Sequence, residues 1–143
     1  GGSTIEALKA SLPESAREHV TFTGHVKLEE VSHYYQRAAV CVFPSLFENF
    51  PYTCLEAMSY GKAIVGSSNG GMADLLDNES CGLLYTPPDE QALAQKIMRL
   101  LKDKTLRHQL GAKARVRVLG QFGSERVMNL TEAFYRQALE DCK

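Results

Sequence analysis

The segment "VCVFPSLFENFPYTCLEAMSYGKAIVGSS", residues 40–68, decides how this chain folds. It contains two continuous apolar runs, 40–44 and 63–68, which are typical of strands that are covered on both faces of a sheet. Between them, Pro51 suits the first turn of a helix, because an N–H at that position would have no partner. Gly61 suits a left-handed cap at the end of the same helix. The order strand, helix, strand predicts a βαβ unit with parallel strands.

The same alternation continues on both sides of this unit. Strand-like runs occur at 20–24 ("VTFTG") and 81–85 ("CGLLY"). Apolar residues at helical spacing predict further helices near 5–12, 28–38, 90–101 and 105–119, and from 124 onward, and residues 69–80 are expected to form a glycine-rich turn and a short helix. Short buried strands alternating with helices predict an α/β protein, a Rossmann-like three-layer sandwich with a parallel sheet.

Four of these elements carry specific packing predictions. Asp89 is expected to cap its helix at the N-terminus. The inner faces of that helix and of the last helix are expected to carry these apolar residues: Leu93, Ile97, Leu100 and Leu101; Val127, Leu130, Phe134 and Ala138. Phe43 and Phe47, at the end of the 40–44 strand, are also expected in the core, and Tyr34 and Tyr35 are interpreted as packing residues.

Composition and charge exclude several classes of function. The chain has 143 residues and a formal net charge of −1, so no overall field attracts nucleic acid or an anionic membrane. Its cysteines show no CxxC spacing, which predicts free thiols in a reducing compartment rather than a zinc site. They are Cys41, Cys54, Cys81 and Cys142. No apolar run approaches the roughly 20 residues that cross a bilayer, and we therefore expect a cytoplasmic protein.

Two carboxylates stand at the first turn of the βαβ unit. Ligands of open parallel sheets bind outside the carboxyl ends of the strands, and the helix start that follows Pro51 offers unpaired N–H groups for a phosphate. Glu48 and Glu56, with seven residues between them, are suited to accept hydrogen bonds from the hydroxyls of a ribose or a sugar. Spacing alone leaves a second interpretation open: one glutamate favoured by the helix dipole and one facing solvent.

Three stretches, "VTFTGHV", "AAVCVFPSLFENFPYTCLEAMSYGKAIVGSSNGGMADLL" and "GLLYTPPDEQALAQKIMRLLKD", resemble the C-terminal, donor-binding domain of the retaining GT-B glycosyltransferases of the group 1, or family 4, type. The resemblance covers residues 20–121, and its centre is the pair of glutamates followed by Ala57, Met58 and Gly61. It implies a nucleotide-sugar donor, a carbohydrate or lipid-linked acceptor and no metal or cofactor. It also implies polysaccharide or glycoconjugate biosynthesis, with peripheral association at the inner face of the membrane.

The resemblance also implies a role for each site residue. Glu48 is expected to contact the transferred sugar near the reacting centre, and Glu56 to hold the ribose hydroxyls of the donor. The backbone around the helix start is expected to meet the diphosphate and sugar, and the turn at 24–27 to pass beside the nucleobase. The residues concerned are Asn49, Phe50, Pro51, Tyr52 and Thr53 for the donor, and Gly24 and Val26 for the base. Gly70 and Gly71 are expected near the same cleft.

This chain departs from the family at two points. The family usually has Glu-Gly-Phe-Gly where this chain has Glu48, Asn49, Phe50 and Pro51. Asn49 tolerates the left-handed dihedrals of the first glycine, whereas Pro51 removes one N–H donor from the loop. Asp74 stands where a glutamate is common. Two other functions remain alternatives: a sugar-nucleotide epimerase of related fold, and a non-catalytic interaction domain with a GT-B-like fold.

The family's domain normally begins with a strand–helix–strand segment before "VTFTG". We therefore expect residues 1–143 to be a partial C-terminal domain that lacks its first strands and the N-terminal acceptor domain. The "GGS" at residues 1–3 is interpreted as the turn after the second of those strands or as an added segment. The absent strands would lie between "VTFTG" and "VCVFP", and this piece alone is expected to bind nucleotide weakly and to transfer no sugar.

Overall fold

Three parallel strands and eight helices make up residues 4–141, the part of the chain that the computed structural model describes. Residues 1–3 and Cys142, for which the sequence made predictions, lie outside the described residues. The elements, in chain order, are α1 (Ile5–Ser11), α2 (Glu14–Arg17), α3 (Leu28–Arg37), β1 (Val40–Phe43), α4 (Tyr52–Ser59), β2 (Ala63–Ser67), α5 (Met72–Leu75), β3 (Leu83–Tyr85), α6 (Glu90–Lys102), α7 (Lys104–Gln121) and α8 (Ser124–Asp141).

The sheet has the strand order β1-β2-β3, and both pairs are parallel. Val40 pairs with Ala63 in β1 and β2, and Val65 pairs with Leu83 in β2 and β3. The helix α4 connects β1 to β2, so the βαβ unit predicted from residues 40–68 is confirmed.

Helices cover both faces of this sheet. The side chains of β2 alternate between the two faces, so each face offers apolar groups for a helix to pack against. Ile64 packs in a core cluster with Met58 of α4 and Leu76 at the end of α5. Val65 points to the opposite face and packs with Leu100 of α6 and Leu110 of α7. Two cores on two faces make three layers, and the predicted α/β class with a parallel sheet is confirmed.

The end of α4 shows how one glycine sets the path from helix to strand. Gly61 has φ +67° and donates to the carbonyl of Met58 at 2.9 Å, while the N–H of Lys62 reaches the carbonyl of Ala57 at 3.1 Å. This pair of hydrogen bonds is a Schellman cap, as the sequence predicted for Gly61. Gly61 also lies against Gly111 of α7, where a Cβ would come well under 3.0 Å from the carbonyl oxygen of Gly61. The two backbones therefore meet without side chains between them.

The chain divides into two units, residues up to Tyr34 and residues from Tyr35 onward. In the first unit, Thr4 caps α1 by accepting from the N–H of Ala7 at 3.2 Å. The prediction of a strand at 20–24 is wrong, because these residues form no strand in the structure. Alternating side chains favour an extended backbone, but a strand exists only where a neighbouring backbone completes the hydrogen bonds.

The structure of the second unit confirms some of the packing predictions and contradicts others. Asp89 caps α6 by accepting from the N–H of Ala92 at 2.8 Å, and Leu100 is buried, so both predictions are confirmed. Leu101 and Phe47 were expected inside, but 47% of Leu101 and 70% of Phe47 are exposed, and both predictions are wrong. Leu101 follows Leu100 by one helical step, which turns it about 100° away from the sheet.

The apolar face predicted for α8 does not pack inward. No residue of α8 is buried, and 70% of Phe134 is exposed. The helical period of its apolar residues was interpreted correctly, but no described element lies against that face in sufficient contact to bury it. Within residues 4–141, no helix has the length and hydrophobicity needed to span a membrane.

The described cysteines are free thiols, as predicted. Cys54 and Cys81 are buried, and Cys41 is half-buried at the sheet. Burial raises the pKa of the Cys54 thiol to about 12, so this side chain stays protonated and behaves as a small apolar core residue.

Candidate functional site

The loop at 44–51 leaves the carboxyl end of β1 and leads into α4. Pro51 is buried directly before the helix and takes the N-cap position, which keeps the entry to α4 rigid. Pro51 supplies no capping side chain, and within residues 4–141 the N–H groups of Tyr52 and Thr53 have no protein acceptor. Those two donors point along the helix axis and are available to an anion.

The turn after β2 holds this loop from the side. The N–H of Gly71 donates to the carbonyl of Glu48 at 2.9 Å, and the side-chain amide of Asn69 donates to the carbonyl of Leu46 at 2.9 Å. A Cβ at Gly70 or Gly71 would come well under 3.0 Å from the carbonyl oxygens of Glu48 or Asn49. Gly70 also has φ +69°, a conformation that other residues rarely adopt. The glycines are therefore required for the turn and the loop to lie in contact.

Glu48 projects from this anchored loop. Its side chain is half-buried, and its Oε2 accepts from the hydroxyl of Ser45 at 3.5 Å, a long hydrogen bond. Its backbone is held firmly by Gly71, whereas its carboxylate has little protein around it to satisfy its lone pairs. The carboxylate is thus placed by the loop and remains able to accept hydrogen bonds from a ligand.

Glu56 lies in the second turn of α4 and is exposed. Its Oε2 lies 3.1 Å from the hydroxyl of Tyr35, which lies equally close to the carbonyl of Thr53. Burial, and then the adjacent Glu56 carboxylate, raise the pKa of Tyr35, so its hydroxyl keeps its proton and donates. The ring of Tyr35 stacks on Tyr60 with centroids 5.5 Å apart.

Tyr35 is the site residue that the sequence did not identify. Its interpretation as a packing residue is confirmed, since the ring lies against the core cluster around Met58. Its hydrogen bond to Glu56 joins residues 21 positions apart on different helices. No local pattern in the sequence signals such a pairing.

A cavity of about 410 Å³ opens between the loop, the glycine turn and the end of α7. It is lined by Asn49, Phe50, Gly70, Gly71, Asp74, Leu75, Arg117 and Phe122. Neither Glu48 nor Glu56 is among these residues. The guanidinium of Arg117 already donates to the carbonyls of Leu75 at 2.9 Å and Asp74 at 2.7 Å, so its role at this cavity is to hold the end of α5.

Most of the predicted donor residues lie in the one continuous segment that leaves the carboxyl end of β1 and enters α4. Glu48, Asn49, Phe50 and Pro51 share the loop, and Tyr52, Thr53 and Glu56 follow on α4. Gly24 and Val26 belong to the first unit, and their predicted contact with the base stays a prediction. Among the described residues, no three His, Cys, Asp or Glu side chains are grouped closely enough to hold a metal ion.

Comparison with known proteins shows that the sequence matches a protein family. A sequence profile described as "Glycosyl transferases group 1" matches residues 4–117. The N-acetyl-alpha-D-glucosaminyl L-malate synthase of Bacillus anthracis is 30% identical over 126 residues, which are 88% of this chain and 32% of that protein.

Solved structures show the same likeness. A sucrose-phosphate synthase from Thermosynechococcus elongatus superposes with a TM-score of 0.83 and 35% identity, over 96% of this chain and 34% of that one. The Anabaena protein HepE, solved in complex with UDP, superposes with a TM-score of 0.69 and 22% identity, over 75% of this chain and 30% of its own. At that identity the likeness to HepE shows the fold alone. This chain spans about a third of the length of each of these relatives.

Proposed function

This chain belongs to the group 1 glycosyl transferases, and on that premise we propose that its protein transfers a sugar from a nucleotide-sugar donor to an acceptor hydroxyl with retention of configuration. The observation that carries the proposal is the junction of the loop at 44–51 with α4. There, two unpaired N–H groups at a helix start lie in the same short segment as two carboxylates. A nucleotide sugar has matching chemistry, since it carries a diphosphate between two polyhydroxylated rings.

In this proposal the helix start binds the diphosphate. The N–H groups of Tyr52 and Thr53 are free in the described residues, and the helix dipole adds a partial positive charge at the same point. Pro51 offers no N–H, so the donors begin one residue later than in a glycine-containing loop. The preorganised N–H groups stabilise the charge that develops on the leaving diphosphate.

In the same proposal, the two carboxylates bind the hydroxyl groups of the donor. Glu56, on α4, accepts hydrogen bonds from the ribose hydroxyls, and Glu48, on the loop, contacts the transferred sugar beside the reacting centre. Charge-assisted hydrogen bonds of this kind are roughly twice as strong as neutral ones. Asn49 and Phe50 complete the donor contacts, and Gly24 and Val26 pass beside the base. The reaction needs no metal ion or other cofactor.

We further propose that the acceptor, a carbohydrate or lipid-linked molecule, binds to parts of the protein beyond this donor-binding domain. The chain's share of its relatives' length supports this, because each relative is about three times longer. Polysaccharide or glycoconjugate synthesis in the cytoplasm, at the inner face of the membrane, is the setting that the resemblance favours. None of the comparisons supports the epimerase alternative.

Substitution of Glu56 by alanine in the intact protein tests the proposal. Isothermal titration with a panel of nucleotide sugars is expected to show a loss of about 1–3 kcal/mol in donor binding, because a charged hydrogen-bond acceptor is removed. Glu140→Ala, which removes an exposed carboxylate from α8, is the control and should bind normally. Unchanged binding by Glu56→Ala would favour an interaction domain, and product analysis separates transfer from epimerisation.

A further inference from the structure

We propose that Tyr35 is a positioning residue of the donor site, whose hydroxyl holds one oxygen of the Glu56 carboxylate so that the other oxygen is presented to the ribose hydroxyls of a nucleotide. This inference rests on the proposed function of Glu56. It adds a residue from a helix that lies outside the loop and α4, and it assigns that residue an effect on how well the site recognises ribose.

The geometry at Glu56 separates its two oxygens. Oε2 lies 3.1 Å from the Tyr35 hydroxyl, whereas Oε1 has no protein donor within residues 4–141. A carboxylate with one oxygen bound and one free has a defined orientation and still has lone pairs to offer. Tyr35 therefore orients the group without consuming its capacity to bind a ligand.

An exposed glutamate needs such a partner. Glu56 is exposed on α4, and a free side chain of this length loses rotamer entropy when a ligand fixes it. A partner that restricts the side chain before binding removes part of that cost, which is the general advantage of preorganisation. Restricting Glu56 in this way should raise the affinity of the site for ligands whose hydroxyls Glu56 contacts.

Tyr35 is itself well fixed. Its ring stacks on Tyr60 and packs against the core cluster around Met58, so the position of the hydroxyl is determined by the fold. The hydroxyl has one proton and two acceptors nearby, the carboxylate of Glu56 and the carbonyl of Thr53. The charged acceptor forms the stronger hydrogen bond, so the proton is directed mainly to Glu56.

Tyr35→Phe is the test, because it removes the hydroxyl and keeps the ring. The probes are UDP, GDP and ADP, titrated against the intact protein, together with the 2′,3′-dideoxy analogue of whichever binds tightest. We expect Tyr35→Phe to weaken the ribonucleotide about twofold to tenfold, the usual value of one hydrogen bond, and to leave the dideoxy analogue unchanged. Tyr135→Phe is the control, since Tyr135 lies on α8, is 63% exposed and has no hydrogen-bond partner for its hydroxyl within residues 4–141, and it should bind both probes normally.

A double-mutant cycle identifies the route of the effect. With Glu56→Ala already present, Tyr35→Phe should cause no further loss, because the group that it positions is gone. Equal weakening of both nucleotides, or the same loss in the Glu56→Ala background, would overturn the inference and show a structural role. If Glu56→Ala itself binds all three nucleotides normally, the proposed function fails first. If Glu56→Ala binds weakly while Tyr35→Phe binds normally, only the role of Tyr35 is refuted.

Discussion

Two glycines of α7 allow one substitution to be tested in two environments. Gly111 lies against the carbonyl of Gly61 at the end of α4, whereas a Cβ at Gly120 would meet no atom within 4 Å. Alanine at either position should favour the helix, because glycine costs about 1 kcal/mol relative to alanine in a helix interior. Only Gly111→Ala also inserts a methyl group between two backbones.

The expected magnitudes follow from these two effects. Gly120→Ala should raise the free energy of unfolding by about 0.5–1 kcal/mol, less than the full propensity because the residue lies near the helix end. Overpacking typically costs about 1–3 kcal/mol, and a main-chain carbonyl cannot rotate away as a side chain can. Because the atom met is a main-chain carbonyl, the cost should lie in the upper part of that range, about 2–3 kcal/mol, and Gly111→Ala should lower the free energy of unfolding by about 1–2 kcal/mol after the helical gain of about 1 kcal/mol is subtracted.

Urea denaturation of the wild type and the two variants measures these changes, with the slope of each transition as a check that the unfolded states are comparable. The variants should move the midpoint in opposite directions. A Gly111→Ala protein as stable as the wild type, with an unchanged slope, would show that α4 and α7 are not held in backbone contact. The assignment of Gly111 to the interface would then be wrong.

Two further predictions concern the site and the loop before β3. Alanine readily adopts the backbone φ of Gly71, but its Cβ would meet the carbonyl oxygen of Asn49, so Gly71→Ala should displace that carbonyl. We expect kcat/KM for the donor to fall by about 100-fold, the loss that a 1 Å misplacement can cause. Normal kinetics would refute the anchoring role of the turn. Burial opposes the ionisation of Glu79, but hydrogen bonds from Lys96 and the N–H of Leu84 outweigh it and lower its pKa. A lowered folded-state pKa stabilises the protein above the ordinary value of 4.5 and loses this effect as the pH falls through the folded value. The difference in free energy of unfolding between wild type and Glu79→Gln should be constant from pH 8 to 6 and shrink toward pH 3. Urea titrations at each pH measure this difference. If it stayed constant down to pH 3, the ion pair with Lys96 would be refuted.

The parts of the fold that could be predicted from the sequence are those determined by local chemistry. Pro51 and Gly61 mark the ends of α4 because one lacks an N–H and the other tolerates a positive φ, and both properties belong to single residues. The apolar runs of β1 and β2 are similarly local. Asp89 as the cap of α6 follows from its short acidic side chain.

The predictions that failed depend on partners that a local pattern does not contain. The alternation at 20–24 favours an extended chain but cannot supply a neighbouring strand. The apolar period of α8 shows which side would be buried, and Phe134 remains 70% exposed because burial requires a surface opposite it. For the candidate site, the sequence could propose Glu48 and Glu56 as a pair, and that pairing stays a prediction. The contact of Tyr35 with Glu56 could not be proposed, because it joins residues that are far apart in the sequence and lie on different helices.

The way the loop is anchored has a consequence for protein engineering. Its two contacts with the turn after β2 use the carbonyls of Leu46 and Glu48, so they are made whatever side chain those positions carry. Leu46 and Phe47 also project into solvent, with about 70% of each exposed. Combinatorial libraries at positions 46 and 47 should therefore vary the exposed surface of the loop while its backbone keeps both contacts with the turn after β2.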